Sequence, residues 1–531
     1  MKATLSFLIL SFLFVSAYAQ YQNVMISNSG SPEEVSICIN PKNPNIIVAG
    51  CNIEKYFYST NRGLSWTPGT LSSSSYGVWG DPCILVDTAG AFYYVHLSNP
   101  PSGVGHWIDR IVIQKSTNNG VNWTNPGTYT FYDANKDQDK AWGAIDKNNN
   151  YIYITWTQFD SYGTSNQSDS SNILFARSTN GGTSWDQVKR INKIPGDCVD
   201  SYNTVEGAVP CVGPNGEVYV SWSGPLVRNS DFRVFFNKST DHGVTFLANP
   251  ILAAQQPGGW DFAIGGIYRA NGMPITCCDL SNGPNRGNIY INYVDQGTSA
   301  TDHDIKFVKS TDGGLTWSAP KRVNNDSTSR EQFFTWMTVD QANGNIYMVF
   351  YDRRNYTDNK TDVYLARSTD GGETFANIKI NDTYFMPTSG TFFGDYSCID
   401  AYNNVVRPIW TRLDNTSLSI WTAMIDFTTP VVENTEELPK SFVLNQNYPN
   451  PFNPVTKIKY EVPLISGKEM SFVKIVVYDA LGREVTKLVD GLVKAGKYET
   501  EWNATGNASG VYFYKLISDN YTESKKMILV R

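Results

Sequence analysis

The sequence predicts an all-β protein: a seven-bladed β-propeller, with six blades as the alternative, followed by a small C-terminal β-sandwich. Three observations predict it. One short turn motif recurs six times, at intervals of 57 to 71 residues. Pairs of short apolar segments recur seven times around it. The 531 residues are 41% apolar and 13% aromatic, with 42 Gly and only 18% charged residues. That balance favours strands and turns over long amphipathic helices.

The motif reads Ser59-Thr-Asn-Arg-Gly63-Leu-Ser-Trp66 and Ser116-Thr-Asn-Asn-Gly120-Val-Asn-Trp123, then Ser178-Thr-Asn-Gly-Gly182-Thr-Ser-Trp185. It continues as Ser239-Thr-Asp-His-Gly243-Val-Thr-Phe246, Ser310-Thr-Asp-Gly-Gly314-Leu-Thr-Trp317 and Ser368-Thr-Asp-Gly-Gly372-Glu-Thr-Phe375. Ser and Asp or Asn bond nearby backbone N–H groups and close a turn. Gly permits positive φ, and the aromatic ring packs between sheets. A repeat at this spacing marks stacked supersecondary units.

The paired segments follow the alternation of short strands. They run Val35–Gly50, Asp81–Leu97, Ala141–Gln158, Ala208–Trp222, Ile275–Tyr293, Trp336–Tyr351 and Ser397–Trp410. That is seven pairs against six motifs. The seventh unit has a third strand at Ser417–Ile425 and then no motif. Its missing fourth strand is expected from Asn23–Asn28, which resembles the fourth strands near Val188–Asn192 and Asn377–Asn381. Pairing the two ends closes a ring and hides sheet edges.

Residues 1–19 read as a signal peptide: Lys2, an apolar run from Leu5 to Val15, and Ala17-Tyr18-Ala19 as cleavage site. The domain plan is therefore a leader at 1–19, a propeller at 20–428, a linker at 429–440 and a sandwich at 441–531. No later run is long and apolar enough for a transmembrane helix. A net charge of −7, spread along the chain, argues against nucleic acid as a partner. Of eight Cys, Cys38, Cys211, Cys277 and Cys398 occupy one place in four repeats and read as buried core residues. Cys51 is a candidate partner for Cys38 across a hairpin, and Cys198 for some neighbour.

The repeated motif resembles the Asp box (BNR repeat) of sialidases and related propellers. There the box lies between the third and fourth strands, on the face opposite the active site. The C-terminal run Phe442–Pro454, with Val477–Val485, Ser509–Tyr514 and Lys525–Arg531, resembles the type A C-terminal sorting domain of the type IX secretion system. That resemblance implies a Gram-negative bacterium of the Bacteroidetes or a related group. It also implies passage through the outer membrane by the secretion machinery, removal of the domain, and attachment to the surface or release.

The sialidase-like arrangement directs attention to the starts of the inner strands and the second-to-third strand loops. Candidate catalytic residues there are Asp81, Asp139, Glu206, Tyr351 and Asp352. Candidate substrate-binding residues are Arg353, Arg354, Arg269, Trp260, Arg412 and Asp395. A carboxyl pair with an aromatic or Arg neighbour suits glycoside cleavage, and Arg suits a substrate carboxylate. The same oxygens suit Ca²⁺ as a cofactor, the metal otherwise being unknown. Sialidases carry a Phe/Tyr-Arg-Ile-Pro stretch before the first box, and Glu33–Tyr58 here contains no Arg. The expectation is a secreted or surface-attached exo-glycoside hydrolase acting on extracellular glycan or glycoprotein. The alternative is a non-catalytic propeller binding glycan or protein.

Overall fold

The structure, a computed structural model, describes residues 21–531 apart from 104, 200–202, 228–231, 298, 300–301, 428–430, 433–438, 440, 465–469, 519–520 and 531. The expected leader at 1–19 lies outside the described residues, as does most of the expected linker at 429–440. The described residues are all-β, with no helix among them.

Seven antiparallel sheets follow one another along the chain, each with a four-strand path. Their first strands are Val35–Ile39, Gly80–Val86, Asp137–Ile145, Glu206–Val212, Ile275–Cys278, Gln332–Val339 and Cys398–Tyr402. These strands touch in sequence, and the last touches the first. The seventh sheet takes its outer strand from the other end of the chain. Asn23–Ser27 pairs antiparallel with Ser417–Ala423, with Asn23 opposite Ala423. Asn23 Nδ2 also donates to the Ile380 carbonyl at 2.7 Å, tying the borrowed strand to the sixth sheet. A short segment, Ile425–Asp426, pairs with the near end of Val405–Asp414.

The six box turns share one geometry. The Ser hydroxyl accepts the N–H of the Gly four residues on, at 2.8–3.0 Å in all six. Each of these Gly has φ between 80° and 93°, where a side chain is strained. The box ring then reaches the preceding sheet: Trp123 meets Tyr56 at 5.7 Å, Phe246 meets Phe175 at 4.7 Å and Trp317 meets Phe236 at 5.0 Å. Boxes are therefore staples between sheets. Where the seventh sheet has no box, buried Arg407 replaces one. Its Nε donates to the Arg62 carbonyl in the first box turn at 2.7 Å, and its guanidinium pairs with Asp426 at 2.9 Å.

The cysteine expectations need correction. All eight are free thiols. Cys38 lies opposite Val48 and Cys51 opposite Val35, so the hairpin register keeps their side chains apart. Cys38, Cys83, Cys211, Cys277 and Cys398 instead line the channel between the inner strands.

The C-terminal module is a sandwich of two four-stranded sheets. One is built around Val455–Val462 and Gly496–Asn503, the other around Met470–Asp479 and Gly510–Ser518. Ile458, Tyr460, Trp502, Tyr514 and Leu516 fill its core.

Candidate functional site

The ends of the inner strands opposite the boxes carry a recurring irregularity. The register slips between Gly80 and Cys83, Asp139 and Trp142, Glu206 and Val209, and Phe333 and Trp336. Within these bulges Asp81, Lys140 and Phe334 take φ of 51°, 51° and 47°, and Glu34 takes 49° at the matching place in the first sheet. Such conformations cost about 1–3 kcal/mol each and gather at functional sites. The bulges break the strict alternation of side chains at these places.

What they bring together is a buried ionic cluster. Lys140, 4% exposed, is its hub. Its ammonium lies 2.6 Å from Asp395, 3.5 Å from Glu34 and 3.7 Å from Asp81. Arg269 reaches the same Asp395 from above, Nε to Oδ1 at 2.8 Å. Asn52 donates to Glu34 and, through its carbonyl oxygen, accepts the Asp81 N–H at 2.7 Å. Two glycines make room: a Cβ on Gly80 would sit 2.2 Å from Asn52 Oδ1, and one on Gly394 would sit 2.9 Å from the Glu34 nitrogen.

Burial and charge sort these groups into two protonation states. Burial pushes Glu33 up to about 8, opposed by a hydrogen bond from Asn52. Burial and the neighbouring Asp81 charge hold Glu34 well above the carboxylate range. Asp81 feels the same burial, but Lys140 and hydrogen bonds with Glu34 and Asp139 outweigh it and hold it below its ordinary value. Asp395 is likewise held low against burial, by Lys140 and Arg269. Burial opposes the charge of Lys140, yet Asp395, Asp81 and Glu34 outweigh it and raise its pKa. Glu34 is thus pushed toward its protonated form while Asp81 is held toward its ionised one.

Above this floor is a cavity of about 180 Å³ whose walls include Trp79, Trp107, Tyr162 and Phe392. Trp79 and Trp107 stand edge to face at 5.8 Å, and Trp107 meets Tyr162 at 5.8 Å. Both Trp side chains are 38% exposed. A larger cavity, about 530 Å³, opens at the other end of the inner strands beside Lys42, Lys147 and Tyr402. Its one carboxylate, Asp400, already accepts the N–H groups of Ile39 and Ala401 at 2.7 and 2.8 Å. The smaller cavity has the convergent chemistry, so it is the candidate site.

Asp81, Asp139, Arg269 and Asp395 thus meet in one place. The other expected residues lie elsewhere. Tyr351 requires correction as a catalytic candidate: its ring is 1% exposed among Phe333, Phe385 and Phe393, and its hydroxyl donates to the Thr411 carbonyl at 2.7 Å. Asp352 is buried against Arg354 at 2.7 Å. Arg354 also reaches Asn325 at 2.6 Å and Asn377 at 3.0 Å, which leaves it binding its own sheets together. Arg353 is fully buried, its Nε bonded to Thr361 at 3.1 Å and its charge over the Phe333 ring. Arg412 pairs with Asp414 and Thr383 at the seventh sheet.

Glu206 is 0% and Trp260 4% exposed, beneath the insertion between the fourth and fifth sheets. That insertion forms a hairpin of Asp261–Phe262 with Ala270–Asn271. Its Asn271 donates to the Asp395 carbonyl at 2.9 Å. Trp142, Trp336 and Tyr396 pack together beside it on the axis, with Trp142 and Tyr396 centroids 4.9 Å apart. The site therefore gathers residues from the starts of the first three sheets, from the insertion and from the segment before the seventh sheet.

Sequence reasoning missed Glu34, Asn52, Lys140, Tyr396, Trp79 and Trp107. A signal existed for two of them. Glu34 lies four residues before Cys38, as Gly207 lies before Cys211, and Lys140 holds the equivalent place in its repeat. A charge there, where an apolar strand begins, marks a bulge. As for Ca²⁺, the acids converge on the Lys140 ammonium, which stands where a cation would. Among the described residues no group of three or more His, Cys, Asp or Glu is arranged to hold a metal ion.

Residues 446–530 match the family described as "Secretion system C-terminal sorting domain". The C-terminal module is a sorting domain. The protein is accordingly secreted, to be attached at the cell surface or released. Among the described residues no helix is long and apolar enough to cross a membrane. A search of curated proteins finds no match to the chain.

Solved structures similar to the chain include a Hadza microbial sialidase: 13% identity, TM-score 0.40, 72% of this chain and 73% of that one. Another is an ulvan lyase of a polysaccharide lyase family: 13% identity, TM-score 0.46, 78% of this chain and 96% of that one. A third is Trypanosoma rangeli sialidase: 12% identity, TM-score 0.39, 87% and 85% covered.

Proposed function

We propose that the seven sheets are the blades of a seven-bladed Asp-box propeller whose mouth cleaves glycosidic bonds of extracellular glycans, as an exo-acting hydrolase. The observation that carries this reading is the convergence of Glu34, Asp81, Asp395 and Lys140 on the floor of a cavity walled by Trp79 and Trp107. Glu34 is the proton donor to the leaving oxygen. Asp81, hydrogen-bonded with Glu34 and Asp139, is the base of the same proton relay. Trp79 and Trp107 offer apolar ring faces to a sugar. Arg269, 36% exposed at its side chain, offers donors to an acidic or hydroxyl substituent.

A specific observation favours a second reading, a non-catalytic glycan-binding propeller. Asp395 engages both Lys140 and Arg269, so much of the floor charge is neutralised within the protein.

The test is a screen of the secreted chain on fluorogenic glycosides, sialosides included, with and without Ca²⁺. Turnover that falls at least about a hundredfold in Glu34→Gln and Asp81→Asn supports hydrolysis. The alkaline limb of kcat/KM is expected above the ordinary carboxylate range, because burial and the Asp81 charge raise Glu34. Wild-type protein that turns over nothing but is retained on a glycan array, and released by Trp107→Ala, overturns hydrolysis in favour of binding.

A further inference from the structure

The ring's two ends meet the sorting domain at one place. Phe427, just after the closing segment Ile425–Asp426, stacks on Tyr347 with centroids 5.6 Å apart and planes at 12°. Tyr21 meets its edge at 6.5 Å, and the Arg367 guanidinium lies over it at 4.2 Å. Tyr21 is only 2% exposed, and it stands two residues after the expected signal cleavage site.

The sorting-domain strand Glu484–Lys494 lies against Ile425–Asp426. Its Leu492 packs on the apolar cluster that holds Tyr21, Tyr347 and Phe427. Gly491 lets the strand come close: a Cβ there would stand 3.4 Å from the Phe427 ring. Asp490 is buried beside Tyr21, its charge one of the causes that raise the Tyr21 hydroxyl pKa. The covered residues are the ones next to the borrowed strand, at the sheet that carries no box of its own.

We infer that the sorting domain is a clamp on the ring's closing seam, so that docking holds Asn23–Ser27 in place and release of the domain loosens it. The propeller then carries a built-in report of export: the seam tightens while the sorting domain is attached and softens once it is gone.

The test is native-state hydrogen exchange on the full chain and on two variants, Leu492→Asp and Gly491→Glu. Leu492 packs on the ring's apolar cluster and Gly491 stands against the Phe427 ring, so a charge at either place opposes docking. Amides of Asn23–Ser27 and Ser417–Ala423 are expected to exchange roughly tenfold or more faster in both variants, since losing a packed apolar side chain weakens a local opening equilibrium by that order. Ile152–Phe159, far from the seam, is expected to keep wild-type protection. Wild-type protection of the seam in both variants overturns the clamp, even if the sandwich itself has unfolded. So does a uniform loss that includes Ile152–Phe159, because the effect then has no seam.

Discussion

The two ends of the ring are built on opposite principles. At the box end, every sheet but the seventh uses the same eight-residue turn. Its hydrogen bonds are local, neutral or singly charged, and near the surface. At the mouth, no motif repeats: Glu34, Asp81, Lys140, Arg269 and Asp395 come from different units of the chain and meet in one cluster. Repetition carries the architecture, and departure from repetition carries the chemistry. The box is redundant six times over; the mouth has one Lys140.

This contrast predicts unequal costs of mutation. Lys140→Ala is expected to be the most damaging single change. It leaves Asp81 buried without its cation and Asp395 with Arg269 alone, a loss of about 3–5 kcal/mol. Urea midpoints measure it, and a loss below about 1 kcal/mol would mean the cluster is wetter than its burial implies. Gly314→Ala strikes a box instead. Its Cβ would meet the Phe236 ring at 2.2 Å, at φ 81°, and the expected cost is about 2 kcal/mol. Ser310→Ala removes only the turn acceptor and is expected to cost about 1 kcal/mol.

Proton linkage separates the ends as well. Glu33 has its pKa raised in the folded state, from 4.5 to about 8. Below pH 4.5 it is protonated both folded and unfolded, and its contribution is intact. Between 4.5 and 8 the unfolded chain sheds the proton while the folded chain keeps it, so stability falls as pH rises. Asp241, in a box, runs the other way. Its hydrogen bonds with Ser239 and Thr245 outweigh burial and lower it from 3.8 to about 2, so its contribution is present above pH 3.8 and fades as pH falls through 2. Glu33→Gln is expected to flatten the decline in melting temperature from pH 5 to 8. Identical slopes for variant and wild type would remove this account of Glu33.

At the small end of the scale, Trp107→Ala changes a side chain that is 38% exposed. Its stability is expected within about 0.5 kcal/mol of wild type, while glycan turnover or retention falls.

How much of this was legible follows from the same contrast. The box turns, the strand pairs and the borrowed strand are local patterns, readable wherever a motif of eight residues repeats. The sorting domain was legible for the same reason. The mouth was half-readable. Asp81, Asp139 and Asp395 announce themselves as acids at strand starts, and Arg269 as a charge in an insertion. Lys140 gives notice only through its place in the repeat, because a lysine by itself reads as solvated until the bulge at Asp139–Trp142 buries it. Tyr351-Asp352-Arg353-Arg354 misled for the opposite reason. The run looks like a ligand cluster, but strand alternation sends Tyr351 into the core, and short-range pairing uses up Asp352 and Arg354.

The measurement that bears most directly on the mouth as the working site is a crystal structure of the protein soaked with oligosaccharide. The account predicts sugar seated against Trp79 and Trp107, with a polar group within hydrogen-bond distance of Arg269 or Asp81. Sugar bound instead at the box end, beside Lys42, Lys147 and Tyr402, would contradict it.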